Sequence, residues 1–257
     1  MAKVISVVNQ KGGVGKTATA LNLAASFALE GKQTLVVDLD GLCSLTKALG
    51  YDPANFDCSV ASIIEKPDIA AQSIYGTDIE NLSLMPSSPL LDTLELSILN
   101  RKDRYDLLKK GLERVKPAFE YIVVDCAPAL NTMFVNALTA SDFVVVPAET
   151  KFQSNLAFEV FLSTFQTFRE MKNPHVKILG VIPTMYNCQA NEDKTVLQEL
   201  QEKTNVLGVI KRTTAVSSSV AKGMPCVIAN RRTVVAKEYR EITKKILNMM
   251  EVLDNVG

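Results

Sequence analysis

The densest chemistry in the chain lies in eight consecutive residues, Gln10-Lys11-Gly12-Gly13-Val14-Gly15-Lys16-Thr17. An apolar run at 4–8 precedes them and reads as a buried strand, and Ala18 opens a run at 18–29 that reads as a helix. Strand, glycine-rich turn and helix form the setting in which backbone N–H groups and a helix N-terminus cradle phosphates. Gly12, Gly13 and Gly15 let the backbone close around an anion with no Cβ in the way. In that setting Lys16 reaches the β- and γ-phosphates and the Thr17 hydroxyl sits on Mg²⁺. Acidic residues at strand ends would complete such a site. Asp125 ends the strongest apolar strand, Tyr121-Ile122-Val123-Val124-Asp125, where a carboxylate holds Mg²⁺ through water. Asp38 and Asp40 follow another β-rich run at 34–37.

These residues need a scaffold that gathers strand ends. Strand-like runs at 82–85, 143–146, 176–182 and 206–210 alternate with helix-like runs at 90–100, 105–115, 131–140, 153–171, 192–203 and 238–253. Such alternation gives an α/β sandwich of three layers, a mostly parallel twisted sheet with helices on both faces. Ligands bind there at the carboxyl ends of the strands. The 10–17 stretch, Asp38, Asp40, Asp125 and Pro147-Ala148-Glu149 all fall at such ends. No repeat, low-complexity segment or linker divides the chain, so 1–257 reads as one domain. Met1-Ala2-Lys3 leads straight into the first strand, which leaves no room for a signal peptide and makes the cytoplasm the expected compartment. Cys43, Cys58, Cys126, Cys188 and Cys226 are scattered without a C-x-x-C pair and read as reduced, mostly core thiols rather than a metal cluster.

The ordinary phosphate-loop pattern places glycine five residues before Gly15, but Gln10 stands there, with a second lysine, Lys11, beside it. The run from Lys11 to Thr17 resembles the deviant Walker A motif of the ParA/MinD family of P-loop ATPases. That resemblance spans nearly the whole chain and implies the P-loop NTPase fold, ATP and Mg²⁺ as ligands, and slow, partner-stimulated hydrolysis. It puts Lys11, Gly12, Gly13, Val14, Gly15, Lys16, Thr17 and Ala18 around the nucleotide. Val123-Val124-Asp125-Cys126-Ala127-Pro128 resembles the family's Walker B strand, with Ala127 in place of a proline. By the same resemblance Asp40 positions the attacking water and Asp38 lies nearer Mg²⁺. The family usually continues Asp-Pro-Gln-Gly-Asn, whereas this chain reads Asp40-Gly41-Leu42-Cys43-Ser44, which implies a differently shaped loop. Lys11 reads either as added field in its own subunit or, as the resemblance implies, as a residue that crosses to the partner's nucleotide in an ATP-sandwich homodimer. Thr184 and Asn187, after a later strand, are placed near the adenine.

Formal net charge is zero, yet 211–245 holds nine basic residues against two acids, a local net of +7. Lys211, Arg212, Lys222, Arg231 and Arg232 are the candidate contacts to DNA phosphates, contacts that would not read bases. The segment 212–225 resembles the Arg-x-x-Arg-x-Ser-x-Ala stretch of chromosomal ParA proteins, with Ala215 where the second arginine is usual. The resemblance implies nonspecific duplex DNA and a centromere-binding, ParB-like protein as partners, nucleoid association, and a role in chromosome or plasmid partition. Two other readings stand beside it: a MinD-like membrane-associated positioning ATPase, and a nucleotide-dependent scaffold or regulator with weak hydrolysis. Ile242, Ile246, Leu247, Met250 and Leu253 recur at helical spacing near the end of the chain. That helix mixes acids with lysines and lacks aromatic anchors, so it is expected to pack on the sheet rather than on a membrane.

Overall fold

A computed structural model describes residues 2–256, except for the side chains of 154–156 and 254–256. Among the described residues the strands are β1 (Lys3–Val7), β2 (Thr34–Leu39), β3 (Tyr75–Gly76), β4 (Leu82–Met85), β5 (Tyr121–Cys126), β6 (Phe143–Glu149) and β7 (Lys177–Thr184). They form one sheet in the order β3-β4-β2-β5-β1-β6-β7, parallel throughout except for the edge strand β3. The helices are α1 (Lys16–Leu29), α2 (Ser44–Ala48), α3 (Val60–Glu65), α4 (Leu90–Ile98), α5 (Leu107–Val115), α6 (Thr132–Ala140), α7 (Phe152–Met171), α8 (Asn191–Lys203), α9 (Thr214–Val220), α10 (Cys226–Ala229) and α11 (Val234–Val256).

Two cores sandwich the sheet, as the expected three-layer architecture requires. Side chains alternate between faces along each strand. Val4, Leu35, Val37, Ile122, Val124, Val144 and Val146 join the core beneath α3, α5, α6 and α7. Ile5, Val7, Val36, Val123 and Val145 join the core beneath α1, α10 and α11. Burial on both faces is why these strands read as continuous apolar runs. The terminal helix α11 packs on α1, with Tyr239, Ile242, Ile246 and Met250 buried, as its spacing predicts.

The expected strand at 206–210 does not form. Val181 N–H donates to the Asn205 carbonyl (2.8 Å) and Leu207 N–H donates to the Val181 carbonyl (2.9 Å), which starts a parallel ladder beside β7. The next rung needs an N–H at Pro183, which has none. The segment slips, so that Ile210 N–H reaches the Pro183 carbonyl at 2.8 Å, and only isolated bridges remain at Val206 and Lys211. The short elements β3, α9 and α10 carry no clear periodicity in sequence. The N-terminus of α9 is fixed by Thr213, whose side chain accepts the Ala215 N–H.

Phe27 of α1 is fully buried and stacks on Tyr121 of β5 at 4.6 Å between ring centroids. Phe27→Ala is expected to cost about 3–5 kcal/mol of unfolding free energy. Urea unfolding followed by circular dichroism measures it, and a loss below about 1 kcal/mol would contradict this packing.

Candidate active site

β5 lies between β1 and β2, and register sets Asp125 beside Val7 on one side and Asp38 on the other. The phosphate loop leaves β1 at this edge. Asn9 anchors it: its side-chain amide donates to the Pro147 carbonyl (2.7 Å) and its oxygen accepts the Lys11 N–H (2.9 Å). Gly13 and Gly15 have φ of +75° and +86°, a left-handed backbone that explains glycine at both positions. Gly15 is the N-cap of α1 and supplies no side-chain cap, which leaves the first turn's N–H groups to an anion. Lys16 Nζ donates to the Lys11 carbonyl across the loop at 2.8 Å. Burial lowers its pKa, while the charges of Asp125, Cys126 and Asp40 oppose that shift.

The two buried aspartates differ sharply. Asp38 has both oxygens engaged: Oδ2 accepts the Thr46 N–H (2.8 Å) and hydroxyl (2.7 Å), and Oδ1 accepts the Asp40 N–H (3.3 Å). Burial pushes the Asp38 carboxyl up to about 6, against the pull of the Thr46 hydrogen bonds. Asp125 is fully buried, and neither of its oxygens accepts a well-formed hydrogen bond, although the Thr17 hydroxyl lies close by. Burial first, then the Asp38 charge, raise its pKa well above the carboxylate range, while the adjacent Thr17 hydroxyl and Lys16 pull it down. Lys16, Thr17, Asp38, Asp40 and Asp125 are therefore brought together as the sequence predicts. Thr46 was missed, because nothing local marks a threonine eight residues from its partner.

Asp40 is half-buried at the rim, where Oδ1 accepts the Leu42 N–H at 3.0 Å. The loop turns at Cys43, which holds φ of +54°, and exposes Leu42. A Cβ on Gly41 would collide with the Asp92 carboxylate of α4 as that exposed side chain now stands, so glycine in place of the usual proline leaves the carboxylate undisturbed. Lys11 pairs within its own chain with Glu149 at 3.1 Å, and Arg212 approaches the other Glu149 oxygen at 3.9 Å.

A cavity of about 300 Å³ adjoins the loop and is lined by Gly15, Ala18, Met185, Ile210, Val216 and Tyr239, among others. Thr184 also lines it, but its hydroxyl donates to the Val14 carbonyl at 2.9 Å and so ties β7 to the loop. Asn187 is not brought there. It is exposed, its N–H donates to Asp193 (2.7 Å) and its side chain accepts the Gln189 N–H (3.0 Å). The apolar lining escaped the sequence reading because those residues converge from four separate segments. The five basic candidates are all exposed but do not form one patch. Lys211 and Arg212 rim the cavity beside the start of α1, whereas Arg231 shares a second cavity with Ala28 and Leu29 at its other end. A helix of that length separates them by about 20 Å.

Residues 2–178 match the family described as an AAA domain. The sporulation initiation inhibitor protein Soj of Bacillus subtilis is 33% identical over 253 residues, 96% of this chain and 98% of Soj. The chain belongs to the ParA/MinD family of P-loop ATPases. The chromosome partitioning protein ParA of Myxococcus xanthus is 28% identical over 250 residues, 96% of this chain and 88% of that protein. Among solved structures, cobyrinic acid a,c-diamide synthase from Mycobacterium smegmatis, bound to an ATP analogue and magnesium, matches with a TM-score of 0.85 at 30% identity, over 96% of this chain and 94% of that one. The cell division ATPase MinD of Pyrococcus furiosus shares the fold at 20% identity, with a TM-score of 0.82 over 97% of this chain and all of that one. Among the described residues of this ParA/MinD-family chain, no helix is long and apolar enough to cross a membrane.

An uncompensated buried carboxylate opposes folding. The folded pKa of Asp125 stands above its unfolded value, so the native state binds more protons and stability falls as pH rises above the ordinary carboxylate range. Asp125→Asn is expected to stabilise the nucleotide-free protein by roughly 1–2 kcal/mol near neutral pH, a rise of about 2–6 °C in Tm. The same substitution should flatten the loss of stability as pH rises above the ordinary carboxylate range. Thermal unfolding of both proteins checks this, and a variant no more stable than the wild type near pH 8 would rule it out.

Proposed function

We propose that this chain is a Mg²⁺-dependent ATPase whose ATP-bound form is a face-to-face homodimer that binds duplex DNA without sequence preference, in the service of chromosome or plasmid partition. Asp125 carries the reading. A buried carboxylate whose oxygens accept no well-formed hydrogen bond, beside the Thr17 hydroxyl and the Lys16 ammonium, fits a hard divalent cation better than any group of the protein itself. Thr17 and Asp125 would hold Mg²⁺, which when bound neutralises charge on the β- and γ-phosphates. The bound ATP analogue and magnesium of the Mycobacterium smegmatis structure support that assignment.

The rest of the site follows from position. Lys16 and the first-turn N–H groups of α1 bind the phosphates. Asp40, at the rim, orients the attacking water. Lys11 leaves Glu149 and crosses to the partner's nucleotide, where its charge stabilises the transferring phosphoryl group. The cavity at Met185, Ile210 and Val216 takes the base, and Ala18 and Thr184 border it. We read 1–257 as one domain acting in the cytoplasm on the nucleoid, with slow hydrolysis stimulated by a ParB-like partner. The names of Soj and ParA among its relatives support partition. The membrane-positioning alternative finds no support in α11, whose apolar side chains Tyr239, Ile242, Ile246 and Met250 are each at most 2% exposed.

Duplex binding by the purified protein with Mg²⁺-ATP, Mg²⁺-ADP or no nucleotide tests the reading. ATP is expected to tighten binding at least about tenfold over ADP, since a dimer doubles the number of basic contacts, and salt should weaken it steeply. Changing Arg212, Arg231 and Arg232 together to alanine should remove about three counterions per subunit from the salt slope. Equal binding in ADP, or a triple variant that binds as the wild type does, would overturn the proposal.

A further inference from the structure

Helix α2 ties the acidic edge of the site to the basic segment. Thr46 lies on this short helix and gives both its N–H and its hydroxyl to Asp38. The same hydroxyl oxygen accepts the Ser87 N–H at 3.1 Å, beyond the end of β4. Lys47, also on α2, donates to the Leu42 carbonyl (2.9 Å) and holds the loop that follows Asp40 against the helix. Leu45 and Ala48 are buried in the core shared with α1. The middle of α2 is thus tied to Asp38 and to the loop after Asp40.

Its C-terminal end meets the basic segment. Gly50 closes α2 with φ of +84°, its N–H reaching the Lys47 carbonyl at 2.9 Å. Gly223 closes α9 with φ of +66°, its N–H reaching the Val220 carbonyl at 2.9 Å. These two glycines pack backbone against backbone: a Cβ on Gly223 would stand 2.7 Å from the Gly50 Cα and 3.1 Å from its nitrogen. No side chain cushions the contact, and close-packed backbone transmits displacement rather than absorbing it. Val216 and Ser217, on α9, line the base cavity. Arg212 precedes α9 and Lys222 follows it, both exposed. α9 therefore touches the site twice, at the base through its own side chains and at the acidic edge through α2.

We propose that α2 is a strut joining Asp38 and the Asp40 loop to the Lys222 turn, with Thr46 and the Gly50–Gly223 contact, one helical turn apart, as its two points of attachment. Through it, occupation of the phosphate site sets where the cations flanking α9 stand. The DNA arm of the proposal rests on the reading of 211–232 as DNA-facing; the hydrolysis arm does not.

Three substitutions test it in the full-length protein. Thr46→Val keeps shape but removes the hydroxyl; it should lower kcat about tenfold with KM for ATP within about twofold, and Thr46→Ser should restore most of the rate. Gly223→Ala should leave DNA-free hydrolysis within about threefold yet shrink the ATP-over-ADP ratio of duplex affinity at least about fivefold. Gly50→Ala makes a looser clash, 3.3 Å to the Gly223 Cα, and replaces Gly223→Ala if that variant does not fold. Hydrogen exchange of 212–224 with and without Mg²⁺-ATP gives a readout independent of DNA. Nucleotide-induced protection there should be present in the wild type and lost in the glycine variant. A wild-type protein with no ATP-over-ADP difference in duplex binding sinks the DNA reading alone. A Thr46→Val enzyme with wild-type kcat, or a glycine variant that keeps wild-type protection, sinks the strut.

Discussion

The carboxylate of Asp125 sits fully buried in the middle of the sheet's carboxyl edge, where the nearby Thr17 hydroxyl and Lys16 charge do not offset the cost of its burial, and the rest of the site is arranged around that cost. A lone ion in a protein interior is expensive, so such a group either takes up a proton or waits for a cation. Here the backbone enforces the placement. The strand order puts β5 between β1 and β2, and the register brings Asp38 alongside. Asp38 is excused from the same conflict because Thr46 fills one of its oxygens twice. The asymmetry divides the work between the two acids. Asp38 holds the loop that carries Asp40, and Asp125 has its lone pairs left for the cation proposed above.

How legible a feature was in sequence followed how local its cause was. The phosphate loop was plain because Gly13 and Gly15 encode their own left-handed backbone within a few residues of β1 and α1. Asp38 and Asp125 were plain because fully buried strands announce their own ends. The 206–210 segment misled because its own residues favour a strand, while the missing donor lies in Pro183 on the neighbouring strand. Asn187 does not line the cavity beside Gly15 and Ala18, and its N–H goes instead to the buried Asp193, a partner no local pattern marks. The basic candidates were identified singly, but their separation along α1 depends on where α10 and α11 dock, which no local pattern records.

Charge at the rim is held only loosely. Glu149 holds Lys11 at 3.1 Å and lies 3.9 Å from Arg212, with Arg212 mostly exposed and Lys11 half-buried. Pairs of this exposure contribute only about 0–1 kcal/mol, because solvent screens them and the long side chains lose entropy on pairing. A pair this weak would not obstruct the crossing of Lys11 proposed above, because a triphosphate presented by a second subunit would offer a far denser negative charge than one carboxylate.

The altered sequence after Asp40 is best understood through α4. Its Asp92 occupies the space a side chain at Gly41 would need. Three residues on, Glu95 accepts the Thr132 N–H (2.6 Å) and the Asn131 side-chain amide (2.9 Å), and so caps α6, the helix that follows Asp125 and its loop. One nine-residue helix thereby leans on the loops behind both Asp40 and Asp125. Any side chain at 41 would have to displace the Asp92 carboxylate, which is exposed and can turn aside. Glycine leaves that carboxylate in place, and the conformational freedom it brings is taken back by Asp38, Thr46 and Lys47, which hold the loop from its other side. Asp40 therefore stays anchored at the rim although the residue after it is the least restrained of all.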